Sequence, residues 1–359
     1  MKVGLVLGAG GVKGGAWLTG GLEAIARETG WDPANADYIV GTSAGAMMGS
    51  LLASGVPPWF MVAHSAGEVF DGLVDAEGKP ASQANRSAGA VFRRANGAKL
   101  PIGPGSPELV LRSLVRPHRH TPSTIGAAWL PYGQVSTEPL KETIRRVVPR
   151  GWSSHPNHWV IACDYRTGRR TCFGRDGAPE ADLADAVAAS CSIPGFYEPV
   201  EIDGRLYVDG GMYSVSNLDV LRDEELDLVI CLNPTSSLYP PHAWNPFDQV
   251  AGVVRSAAGR RLGSEAKKLR ARGTEVVLVQ PTLEDRRVMG LNLMSTKRQH
   301  ETILTAIETV GEQLREHRDV LGDLPPGEPH KVRRPDGHPS TWPATVTPGR
   351  RRARGETAA

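Results

Sequence analysis

Residues 38–54 read YIVGTSAGAMMGSLLAS. The apolar run Tyr38-Ile39-Val40 ends at Gly41, and Ser43 stands midway between Gly41 and Gly45. The Ala, Met and Leu residues that follow are good helix formers. The stretch predicts a strand, a tight turn and a helix, with a hydroxyl at the apex. A G-x-S-x-G nucleophile elbow needs that arrangement, because the turn holds the serine backbone in a sparsely populated conformation and the glycines let strand and helix pass closely. The helix N-terminus adds a partial positive charge at the same place. Alone the pattern is weak in a chain with 41 glycines among 359 residues. A glycine-bounded turn with Ser43 as an ordinary helix cap fits it equally well.

Working outward, the N-terminal MKVGLVL reads as a first strand rather than a targeting segment, its apolar run being too short for one. Gly8-Ala9-Gly10-Gly11-Val12-Lys13-Gly14-Gly15 follows and leads into a helix. A Walker A loop requires Ser or Thr after its lysine, and Gly14 stands there. The dinucleotide pattern G-x-G-x-x-G requires glycine at position 13; a looser spacing fits Gly8, Gly10 and Gly14. A dinucleotide fold, however, ends its second strand with an acid for the ribose, where this chain has Gly41-Thr42-Ser43. The other reading is an oxyanion hole, in which amides bare of side chains converge on a developing alkoxide. Two parallel strands deliver the loop and Ser43 to one sheet edge. Lys13 orients that loop, attracts anionic head groups, or is a solvated lysine at a helix start.

A serine nucleophile needs a base. Of ten histidines, His242 and His300 fall where a base would in α/β-hydrolase order, but one sits in a Pro-rich loop and the other inside a helical pattern. Asp209 is the stronger candidate. It follows a predicted strand and precedes Gly210 and Gly211, so its carboxylate can project from a turn into a crevice. Desolvation can raise such a carboxylate toward a useful base pKa. An Asx-turn capping its own loop is the structural alternative.

Four blocks occur in order: Gly10-Gly11-Val12-Lys13-Gly14, Gly41-Thr42-Ser43-Ala44-Gly45, Ala189-Ser190-Cys191-Ser192-Ile193-Pro194, and Asp209-Gly210-Gly211. Together they resemble the patatin-like phospholipases, especially compact bacterial members. The resemblance implies a Ser43–Asp209 dyad without a catalytic histidine. It implies an oxyanion hole from the amides of Gly10 and Gly11, and a serine acyl hydrolase acting on lipid or acyl-ester substrates with no cofactor. The family often has a third glycine or a polar residue where Gly8 and Ala9 stand.

The order of predicted elements is largely strand-helix-strand, which gives an α/β, three-layer α/β/α sandwich with a mostly parallel central sheet. Asp203-Gly204 reads as a hairpin turn between two short strands. Residues 71–134 read as a cap- or lid-like insertion in a catalytic domain spanning 1–324, and residues 325–359 as a disordered, basic Pro/Arg-rich tail. The tail carries seven of the Lys and Arg residues against three acids, which leaves the body nearly neutral within a net charge of +2. Nucleic-acid enzymes usually spread basic charge over the folded surface, so no nucleic acid is expected. Four cysteines without a C-x-x-C pair predict no metal site and a reducing, cytoplasmic setting, with peripheral contact at the inner membrane surface allowed. A non-catalytic regulatory or scaffold protein on the same fold, its tail meeting an acidic partner or anionic membrane, is the rival reading. Neither lipid class nor oligomeric state is legible.

Overall fold

The computed structural model describes residues 1–67, 92–96, 102–236 and 246–325. The predicted tail therefore lies almost wholly outside the described residues, as do His242 and most of 71–101. In chain order the elements are β1 (Val3–Leu7), α1 (Gly11–Thr29), β2 (Tyr38–Thr42), α2 (Ala44–Ala53), α3 (Pro58–Ala66), α4 (Pro107–Val115), α5 (Pro122–Trp129) and α6 (Glu138–Arg145). Then come β3 (His158–Asp164), β4 (Arg170–Phe173), α7 (Leu183–Cys191), β5 (Val200–Ile202), β6 (Arg205–Asp209), β7 (Leu228–Leu232) and α8 (Pro246–Arg270). The last are β8 (Glu275–Val279), α9 (Leu283–Met289), α10 (Gln299–Glu316) and α11 (Arg318–Leu321).

Among the described residues one sheet of eight strands runs through the molecule. Strands β3, β2, β1, β7 and β8 pair in parallel, while β4, β5 and β6 are antiparallel additions. The parallel strands are short continuous apolar runs, VGLVL in β1 and LVICL in β7, buried along their whole length. Parallel strands covered on both faces read this way. Their side chains alternate between two cores. Leu5 and Leu7 point into a core closed by α1, α2, α7 and α10, whereas Val6 points into one closed by Leu262, Ala266 and Leu269 of α8. The result is the three-layer arrangement. A smaller third core, with Leu109, Val110 and Ala128, seats α4 and α5 on Cys163, Val208 and Met212.

The registers along β3 place the site. Val160 and Ile161 have β2 on one side and β4 on the other, whereas Ala162 and Cys163 have β4 and β6. Strands β2 and β6 therefore share one edge of β3 and run toward each other. Thr42, the last residue of β2, stands opposite Ile161, and Asp209, the last of β6, stands opposite Ala162. The β5–β6 hairpin turns at Asp203 and Gly204 as read from the sequence, both with positive φ (49° and 67°), the condition for a type I′ turn.

Candidate active site

Ser43 is the apex of the β2–α2 turn, buried, with φ 55° and ψ −118°. A non-glycine residue persists there only when its surroundings over-determine it. Two constraints do so. The Ser43 amide donates to Ser190 Oγ at 2.8 Å, and Ser190 Oγ donates to the Ile161 carbonyl at 2.6 Å, filling the seam where β2 stops and β6 begins. On the other side α2 lies against the end of β1 so closely that a Cβ on Gly45 would stand 1.9 Å from the Leu7 carbonyl oxygen.

Asp209 closes the same seam from β6. Its amide donates to the Ser192 carbonyl at 2.9 Å, and its Oδ1 accepts the Gly211 amide at 2.7 Å. The Asx-turn is thus real, and the carboxylate also engages the Ser43 hydroxyl. Burial pushes its pKa up to about 6, with the Ser43 hydroxyl and the Gly211 amide pulling back toward the charged form. Gly210 lies against the Ile161 carbonyl and Gly211 against Ala9, so the turn is wedged between β3 and the glycine loop. Pro194 occupies the turn Ile193–Phe196, closed by Phe196 N to Ile193 O at 3.0 Å, just beyond the residues that hold Ser43 and Asp209.

The glycine loop emerges from β1 beside Ser43. The Gly8 amide donates to Leu232 O, that of Ala9 to Val215 O, that of Lys13 to Leu293 O, and that of Gly14 to Gly10 O. The amides of Gly10, Gly11 and Val12 find no acceptor among the described residues. Free donors at a helix N-terminus form an anion site. A Cβ on Gly10 would lie 2.6 Å from both Gly14 Cα and Pro234 Cγ, so glycine is required there by close packing. Lys13 is not solvated. The residue is 2% exposed, its ammonium donates to the Lys297 carbonyl, and burial lowers its pKa. It fastens the segment before α10 over the loop, which supports the orienting role and removes the solvated one.

Three supporting residues carried no sequence signal for their role. Asn217 is buried with φ 50°, and its Nδ2 donates to Thr42 Oγ1 at 3.1 Å, to Gly210 O at 3.4 Å and to Ser214 O at 2.6 Å. It ties the end of β2 to the turn after Asp209. Glu265 of α8 accepts from Ser214 Oγ, Ser216 Oγ and the Leu218 amide at 2.7, 2.6 and 3.0 Å, and holds the Asn217 loop from below. Ser190 lay inside a recognised block, but its partners are distant in sequence. His300 Nδ1 meets Ser65 Oγ of α3 at 3.3 Å. His158, in the core of β3 beside Ser50 and Ser153, is held well below the usual imidazole range, at about 3, by burial and by His155. Among the described residues, no group of three or more His, Cys, Asp or Glu side chains is placed to hold a metal ion. Cys163 and Cys231 are buried thiols packed among apolar side chains, whereas the buried Cys191 thiol meets the Ser43 hydroxyl beside Asp209.

With the elbow, the acid turn and the glycine loop on one sheet edge, comparison with known proteins gives the class. The family model described as patatin-like phospholipase matches residues 5–222, and the chain belongs to that family, one of lipid acyl hydrolases. Among solved structures, VipD from Legionella pneumophila is similar over 88% of this chain and 67% of its own, at 14% identity and a TM-score of 0.39.

Proposed function

We propose that this protein is a serine acyl hydrolase that cleaves lipid esters through a Ser43–Asp209 dyad. The observation that carries the reading is the facing of the Ser43 hydroxyl and a buried carboxylate whose pKa lies near 6. At neutral pH that carboxylate is ionised yet poorly solvated, which is the condition for a general base. Asp209 takes the Ser43 proton as Oγ attacks the ester carbonyl carbon. The oxyanion so formed accepts from the Gly10 and Gly11 amides. Collapse expels the alcohol, which leaves with the proton from Asp209, and Ser43 is acylated. Water then gives a proton to Asp209 as it attacks the acyl carbon, and collapse releases the acid while Asp209 returns that proton to the departing Ser43 Oγ. Substrates of the phospholipase A, lysophospholipase or simple esterase type fit this chemistry. The working site is cytoplasmic, with peripheral contact at the inner membrane surface.

A fluorophosphonate probe tests the reading. It should label folded protein at Ser43 and fail on Ser43→Ala, and both Ser43→Ala and Asp209→Asn should abolish hydrolysis of a p-nitrophenyl ester. Folded protein that takes no label would favour the non-catalytic scaffold reading.

A further inference from the structure

Helix α4 is apolar on opposite sides. Leu109 and Val110, with Ser113 beside them, are buried against Cys163, Val208 and Met212. On the opposite face Leu111, Leu114 and Val115 stand 63%, 67% and 69% exposed. An amphipathic helix of a globular domain turns polar residues outward, so the outer stripe has no role within the described fold. Helix α5 packs antiparallel against α4, the amides of Gly105 and Ser106 donating to the carbonyls of Leu130 and Ala128. It ends in Trp129 and Leu130, which are 56% and 44% exposed.

The charge around these side chains is mostly positive. Between residues 106 and 130 stand Arg112, Arg116 and Arg119 against the single acid Glu108. Glu108 is itself held by Arg112 and by Arg166 outside the segment, which keep its carboxyl well below the usual range, at about 2. An exposed Leu and Val stripe followed directly by the exposed Arg116 and Arg119 has the composition of a surface that lies in the headgroup layer of an anionic bilayer, with aliphatic side chains in the acyl boundary and guanidinium groups on phosphates.

This surface is joined to the site. The hydroxyls of Thr121, Ser123 and Thr124 converge on the Met212 carbonyl at 3.4, 2.8 and 3.2 Å, three residues beyond Asp209. Leu130 lies against Gly195, next to Pro194. We propose that the outer face of α4 and α5 is a docking surface for anionic lipid bilayers, set beside the Asp209 turn so that a docked molecule faces its lipid substrate. The orientation toward a substrate rests on the acyl-hydrolase reading; the docking does not.

The test separates the two. Full-length Ser43→Ala protein, which cannot consume the vesicles, is floated with phosphatidylcholine vesicles with and without phosphatidylglycerol. It should bind the anionic vesicles and only weakly the neutral ones. Adding Leu111→Asp and Leu114→Asp should weaken anionic binding about tenfold or more with Tm unchanged. Arg116→Glu with Arg119→Glu should abolish the preference for phosphatidylglycerol. Equal binding before and after the leucine substitutions would overturn the proposal. So would a dimer in solution that the leucine substitutions convert to monomer, since a second copy would then be what covers the stripe. Neither readout depends on whether Ser43 is a nucleophile.

Discussion

The hydroxyl of Ser190 accepts the Ser43 amide at 2.8 Å and donates to the Ile161 carbonyl at 2.6 Å, so one side chain satisfies both backbone groups that the end of β2 leaves unpaired. Replacing it strands two buried groups, each costing about 1–3 kcal/mol. Ser190→Ala should therefore lower unfolding free energy by about 2–6 kcal/mol in a denaturant titration. Because one of the stranded groups is the amide of the strained apex, ester hydrolysis should fall even in conditions where the variant is fully folded.

The pH dependence follows from Asp209. Its folded-state pKa, about 6, lies above its ordinary value of 3.8, so the fold binds this proton more tightly than the unfolded chain does. That contribution to stability is fully present below about pH 4 and is lost as pH rises through about 6. On the dyad reading activity runs the other way, since Asp209 must be ionised to act as the base. The kcat/KM for a soluble ester should rise with pH to a plateau above about 6.

Asp209→Asn then separates function from stability. A neutral amide avoids the buried charge, and the gap between 3.8 and about 6 corresponds to as much as about 3 kcal/mol. The variant should be inactive and yet more stable than the parent at pH 8, with the difference vanishing near pH 4. A parent at least as stable as the variant at pH 8 would mean that the carboxylate is better solvated than its burial indicates.

Gly45→Ala should not yield folded protein, because its Cβ would sit 1.9 Å from the Leu7 carbonyl oxygen, with rigid backbone on both sides. Gly15→Ala is the matched control. There the nearest neighbour of an added Cβ is the Ala44 side chain at 3.9 Å, an ordinary contact, and the substitution removes a helix-interior glycine. Soluble expression and thermal melts of the pair would check this.

Asn217→Gly keeps the positive φ and removes only the side chain. It should lower kcat more than it raises KM, since Asn217 ties Thr42 to the carbonyl of Gly210 rather than facing the crevice. An unchanged kcat would show that the Asp209 turn is held by Glu265 and the loop alone.

The sequence was most legible where the chemistry is local. The elbow, the glycine loop, the Asp-Gly hairpin and the Asp209-Gly210-Gly211 turn each depend on residues within a few positions of one another. Continuous apolar runs made the parallel strands visible. The roles of Ser190, Asn217 and Glu265 were invisible for the opposite reason. Ser190 meets an amide 147 positions away and Asn217 a hydroxyl 175 positions away, and nothing in their neighbours encodes either meeting. Lys13 misled one reading because lysines at helix starts are usually wet. Its burial comes from the segment before α10, which no local pattern brings back to the first helix.

The meeting of β2 and β6 on one edge of β3 also bears on the order in which competence arises during synthesis. Ser43 and its elbow leave the ribosome early, and β3 can pair with β2 once it follows. The stretch of β3 beyond Ile161 must then wait for a strand that runs the other way and ends in Asp209. On the dyad reading, a nascent or prematurely terminated chain carries an exposed hydroxyl with nothing to deprotonate it.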